Sequence, residues 1–162
     1  MNENFISIKC RQGKILALSS CFFLIPSIYA YKNGLYFFCA LLIATSFISA
    51  NFWRNAIHSW RRNLDLFFAK VSFVIFLSNG IYYLRYTPYV VTGYSWLIVL
   101  LYFYYLSDKY LKEHNTAWCK YHFIFHLLLT YEQFIIIDSI LKYWYKYMFI
   151  YIFICQSSLS IN

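Results

Sequence analysis

Residues 34–53 read GLYFFCALLIATSFISANFW, and this stretch decides the fold class because it carries no charged side chain from end to end. Wound as an α-helix at about 1.5 Å per residue, it extends about 30 Å, the thickness of a bilayer's hydrocarbon core. A helix also satisfies its backbone donors and acceptors internally, which lipid requires because it offers no partners of its own. The stretch is predicted to be a transmembrane helix. Upstream, Lys32-Asn33-Gly34 is a tight break, and before it an apolar run from Ile15 to Tyr31 is interrupted by Pro26. This run is read as the first span, preceded by a polar cytoplasmic segment, 1–14, with Lys9, Arg11 and Lys14. A basic start, a short apolar run and small residues near Ala30 also describe a cleavable signal peptide, so 15–31 has two readings, of which the span is preferred.

Downstream, a polar stretch with Arg54, Arg61 and Arg62 leads to Asn63, a good cap for a third helix from Leu64 to Leu84. Arg85 to Pro88 ends it. A fourth run extends from Tyr89 to Leu106, and a fifth begins at the capping residue Thr116 and runs through Ile137. Ile140 to Cys155 is short for a crossing and starts with Lys142 and Lys146, so 138–162 is expected to hold a sixth tilted span or an interfacial helix, followed by a tail. The predicted fold is all-α, a polytopic membrane helical bundle of five or six transmembrane helices, with 15–137 as a five-helix domain.

Composition agrees. The chain is 62% hydrophobic and 12% charged, whereas soluble domains are roughly half apolar and a quarter charged, so a water-soluble globule is excluded. The net charge of +8 does not imply nucleic acid as a partner, because the basic residues flank the spans instead of lining one face. They set topology: the N-terminal segment, 54–63 and 107–120 hold nine Lys and Arg, against Lys32, Arg85, Lys142 and Lys146 on the opposite side. The N-terminus is therefore expected in the cytoplasm. Trp53, Trp60 and Trp118 would then sit at the cytoplasmic interface with hydrated indole N–H groups. The five cysteines include no CxxC pair and read as packing residues.

Chemistry is sought among polar residues inside the spans, since such groups are expensive in lipid. His122 and His126 stand four apart on one face of the fifth helix and could share a metal ion, and Thr130 and Gln133 continue that face. Glu132 points away from it, toward a different partner or the outer interface. On the third helix Asp65, Ser72 and Asn79 recur every seven residues along one face, with Lys70 on another side, read as snorkelling to the interface. Ser46, Ser49 and Trp53 share a face of the second helix. Ser49, Asp65, His122 and His126 fall in the same halves of three helices and could meet in one pocket. The plainer alternative is that the histidines are interhelical hydrogen-bonding groups, that Asp65 is a helix N-terminal carboxylate paired with Arg61 or Arg62, and that Ser49 serves packing. His58 and His114 fall in loops.

This pattern resembles the CREST superfamily of membrane hydrolases, which includes alkaline ceramidases and adiponectin-receptor-type proteins. That family carries a Ser-x-x-x-His near the end of one helix, an Asp on the next and a HxxxH on a late helix. The matching residues are Ser49, Asp65 and the pair His122 and His126, whereas Trp53 stands where the family has a zinc-ligating His. The resemblance implies a zinc ion held by His122 and His126, with Asp65 or His58 completing the set. Asp65 would orient or deprotonate a water and Ser49 would help hold the oxyanion during hydrolysis of a lipid amide or ester. It also implies membrane lipid as the partner, with an inactive derivative as a variant of the same reading. The competing class is a non-enzymatic membrane protein whose polar stripes pack helices or line a polar pathway. Histidine boxes for a di-iron site, a phosphate-binding glycine loop, GxSxG and HExxH are all absent.

Overall fold

The computed structural model describes residues 10–54 and 60–159, with side chains over 12–54 and 60–151. Among the described residues six α-helices follow one another: α1 (Cys10–Ser20), α2 (Leu24–Lys32), α3 (Tyr36–Arg54), α4 (Trp60–Tyr83), α5 (Val90–Lys112) and α6 (Trp118–Leu159). Helices α1 and α2 are two halves of one rod, joined by a 3-10 turn at Cys21–Phe23. Five rods are long and apolar enough to cross a bilayer, namely 12–32, 36–54, 60–86, 90–112 and 118–151. The chain is thus an all-helical, multi-pass integral membrane protein.

The 3-10 turn has a local cause. Pro26 has no N–H and cannot sit in a helix interior without losing a backbone bond. The 3-10 turn restarts the helix at Leu24, which places Pro26 in the first turn of α2, where no intrahelical donor is needed. The Leu24 N–H turns to the Cys21 carbonyl, and the Ser20 carbonyl is instead met by the Ser46 hydroxyl of α3 at 2.9 Å. A second stitch, Ser27 Oγ to the Cys39 carbonyl at 3.2 Å, holds α2 on α3. The core around these contacts includes Leu42, Ala30, Phe76 and Ile137, all buried.

Helix α6 is the hub, packing against α1, α2, α4 and α5. Its 42 residues span about 63 Å, twice the hydrocarbon thickness. The stretch 138–162, expected to begin a separate element, instead continues α6 without a break as far as Leu159. Lys142 is no helix breaker, and it pairs with Asp138 one turn earlier at 2.9 Å. Tyr29 also donates to Asp138, at 2.7 Å, and Lys142 donates to the Tyr89 hydroxyl, so α2 and the start of α5 are tied to α6 at one level. Tyr82, Tyr83, Tyr86 and Tyr143 cluster there, with the Arg85 guanidinium over two of the rings. Rings with a polar tip suit a membrane interface, and this level is the tyrosine end of the bundle.

Trp53 and Trp118 mark the opposite end, and here the structure corrects the expectation of hydrated indoles. Both are buried, with ring centroids 5.9 Å apart, and Trp53 Nε1 has no hydrogen-bond partner. Trp60 alone of the three is exposed. The inward tryptophans pack with Leu16 and Phe52 in a second small core.

Helices α4 and α5 are joined by a short connection, and α5 approaches closely only there. A Cβ on Gly93 would lie 2.7 Å from Leu84 Cδ1, so a larger residue there would require the buried Leu84 side chain to shift where α5 meets the 3-10 turn at Leu84–Tyr86. Beyond that point the two helices lean on α6 and not on each other. The space left between them is the site described next.

Candidate functional site

Ser49 on α3, Asp65 in the second turn of α4, and His122 and His126 on α6 all line one cavity of about 490 Å³. This is within the usual range for small-molecule sites, roughly 300–1,000 Å³. The four residues expected to meet therefore share one wall system.

Each imidazole is fixed through Nδ1 by a serine from another helix. Ser19 Oγ is 2.8 Å from His126 Nδ1, and the same hydroxyl donates to the Leu16 carbonyl at 2.9 Å. A hydroxyl has one proton, so with that proton on Leu16 the His126 Nδ1–H is the donor to Ser19, and Nε2 keeps its lone pair. Ser107 Oγ on α5 lies 3.2 Å from His122 Nδ1. The two rings stack obliquely with centroids 4.7 Å apart, and Trp53 sets its ring edge-on to His122 at 5.0 Å. Ser20, next to Ser19, reaches the other catalytic candidate: its hydroxyl lies 3.0 Å from Ser49 Oγ. The Ser49 hydroxyl is in turn within hydrogen-bonding range of the Asp65 carboxylate. Two consecutive, fully buried serines of α1 thus brace both halves of the site, one the imidazole and one the serine-carboxylate pair. Sequence reasoning missed them; their only signal is a polar dipeptide within the first apolar run.

Other polar residues sort differently from expectation. Ser72 lines the cavity and shares a 2.8 Å hydrogen bond with Thr45 of α3. Asn79, the third member of its stripe, donates instead to the Ile75 carbonyl of its own helix and does not line the cavity. The Thr130 hydroxyl is likewise taken by the His126 carbonyl. Lys70 is exposed at the cavity's edge. His114 is exposed in the α5–α6 turn, and His58 lies outside the described residues. Glu132, expected to face elsewhere, lines the same cavity and is only 6% exposed.

Three buried side-chain atoms have no hydrogen-bond partner among the described residues: Trp53 Nε1, Glu132 Oε2 and Gln133 Oε1. All three residues line this cavity. Leaving such a group unsatisfied costs about 1–3 kcal/mol.

Two imidazoles with anchored Nδ1 atoms and free Nε2 atoms fit part of a zinc site, since ligating histidines are normally oriented through the other ring nitrogen. Catalytic zinc takes three protein ligands. Among the described residues no group of three His, Cys, Asp or Glu side chains stands close enough to hold one ion, so Asp65 does not complete the set. Comparison with protein-family models, curated proteins and solved structures found no match. The functional reading accordingly rests on the residues themselves.

Proposed function

We propose that the cavity receives a lipid-like amphiphile from the bilayer, and that the polar cluster of Ser49, Asp65, His122 and His126 hydrolyses an ester or amide bond in it. The observation that carries this reading is that all three orphaned buried polar atoms belong to residues lining one cavity, whose wall is largely aromatic and aliphatic, including Phe73, Leu77, Ile81 and Leu97. A wall of that kind accepts an acyl chain, and the orphans await polar groups on the same molecule. Trp53 Nε1–H, beside His122, is a donor suited to a carbonyl oxygen. Hydrolysis there needs a base to take a proton as a water oxygen bonds to the carbonyl carbon, a donor on the resulting oxyanion, and a proton returned to the departing oxygen or nitrogen. Asp65 or the His126 Nε2 lone pair serves as base and proton carrier, and Trp53 as the oxyanion donor. Ser49 accepts from Ser20 and so keeps its own proton for the Asp65 carboxylate, and in this scheme it positions the carboxylate rather than the oxyanion. The described residues do not make a zinc centre, and no step runs through one. We place the Trp end, with its Lys and Arg excess, on the cytoplasmic side.

Binding tests the first half. Trp53→Phe keeps the ring and removes the donor. It should weaken binding of an acyl ester to the chain in lipid nanodiscs by about 0.5–1.5 kcal/mol, while leaving the corresponding alkane unaffected. Equal losses for ester and alkane would mean that Trp53 only packs. Metal analysis tests the chemistry: purified chain and a His122→Ala, His126→Ala double variant should both lack stoichiometric zinc. Zinc present in the first and lost in the second would replace this scheme with the metal centre the resemblance implies.

A second reading has an observation of its own. The Ser19 to His126 and Ser107 to His122 bonds tie α1 and α5 to α6, as non-catalytic polar residues do within membranes. On that reading the protein is not an enzyme and its polar stripe packs helices or lines a pathway.

A further inference from the structure

We propose that Glu132 and Gln133 form a second station in the cavity that binds the protonated amine of a lipophilic amine. The inference rests on the cavity being an amphiphile site and names the class of its ligand. The station is distinct from the hydrolytic cluster: Glu132 and Gln133 lie six and seven residues beyond His126 on α6, a rise of about 10 Å. Glu132 is 6% and Gln133 1% exposed, both residues line the cavity, and each holds one buried oxygen without a partner among the described residues. Both orphans are acceptors, so the missing group is a donor.

Charge narrows the class. A carboxylate buried this far in a largely apolar wall is costly unless it takes up a proton or a cation meets it. Neither the Asp108–Lys112 nor the Asp138–Lys142 ion pair involves Glu132. Arg62 and Lys70 also border the cavity, but Arg62 is one turn of α4 from Asp65 and Lys70 is exposed. Hard metal cations seek six or more oxygens, and two are offered here. Anions are repelled by the same oxygens. A primary or secondary ammonium supplies both what is lacking, a positive charge for the Glu132 carboxylate and N–H donors for the unmet oxygens. Its hydrocarbon then lies along Leu77, Ile81 and Leu97.

The full chain in lipid nanodiscs, titrated calorimetrically against empty nanodiscs, discriminates among three probes of equal chain length. Octylamine carries charge and N–H donors, octyltrimethylammonium carries charge alone, and octanol carries one donor and no charge. Octylamine should bind at least about tenfold more tightly than either of the others, and Glu132→Gln should abolish that preference. Gln133→Leu should lower octylamine affinity about threefold to tenfold. Should Glu132→Gln fail to assemble, Glu132→Asp, which keeps the charge, should retain the preference, and its loss there counts against the station. Octanol binding as tightly as octylamine, with Glu132→Gln unchanged, overturns the amine station and leaves the amphiphile reading standing. Binding of none of the three overturns both.

Discussion

Asp65→Asn is expected to slow hydrolysis of a lipid ester or amide by about two to four orders of magnitude, the range general-base removal commonly costs. The amide has nearly the shape of the carboxylate and still accepts the hydrogen bond that Ser49 offers. It cannot take a proton from water. Binding of the acyl ester should therefore stay within about twofold of the parent, because the substitution removes a proton acceptor and leaves the apolar wall intact. Turnover of a fluorogenic acyl ester by the chain in nanodiscs gives the rate, and titration of its non-hydrolysable ether analogue gives the affinity. This split matters more than either number. A loss confined to turnover places Asp65 in the chemistry. A parallel loss of affinity and rate assigns it to structure. Parent protein without turnover, or Asp65→Asn as active as the parent, removes the hydrolase and leaves the polar stripe as helix packing or a pathway.

The physical basis of the spans is plain in the sequence because lipid permits few ways to place a backbone, and charge-free runs of bilayer length such as 34–53 have one solution. Lys142 misled the reading of the C-terminal region: the lysine stands at the tyrosine-rich level of the bundle, but it pairs with Asp138 on the same helix and α6 runs on past it instead of ending there. The four site residues were legible as polar intrusions in apolar helices. Glu132 was not, for a geometric reason. Measured from His126 it lies about 120° around α6, outside any stripe drawn at helical spacing, but α4 and α5 do not close on each other and the cavity wraps far enough around α6 to include it. Trp53 was misplaced by position alone. It stands where an interfacial tryptophan belongs, yet packs inward on Trp118 and His122. Ser19 and Ser20 were hidden because serines in apolar helices commonly bond to their own backbone. Both do so here, to Leu16, and nothing in the linear order shows that His126 and Ser49 also come within reach.

Ser20→Leu should cost about 2–4 kcal/mol of stability, the sum of overpacking a full site and losing one interhelical hydrogen bond. Ser20 is 0% exposed where α1 meets α3, so three added carbons have no room unless the helices separate. Separation would also break the contact of the Ser20 carbonyl with Ser46 and the support Ser20 gives Ser49. Ser20→Ala supplies the comparison, since it loses the hydroxyl without adding volume and should cost about 0.5–1 kcal/mol. Denaturation of the reconstituted chain in sodium dodecyl sulfate, followed by tryptophan fluorescence, reads both. The difference between the two variants isolates packing of the first span against α3. That difference also separates the two readings of residues 15–31: a segment removed as a signal peptide contributes nothing to the mature fold, and both substitutions would then leave the unfolding midpoint of the mature protein where it was. A leucine variant clearly weaker than the alanine variant requires α1 to remain in the bundle, seated on α3 and holding the serine and imidazole of the site from one side.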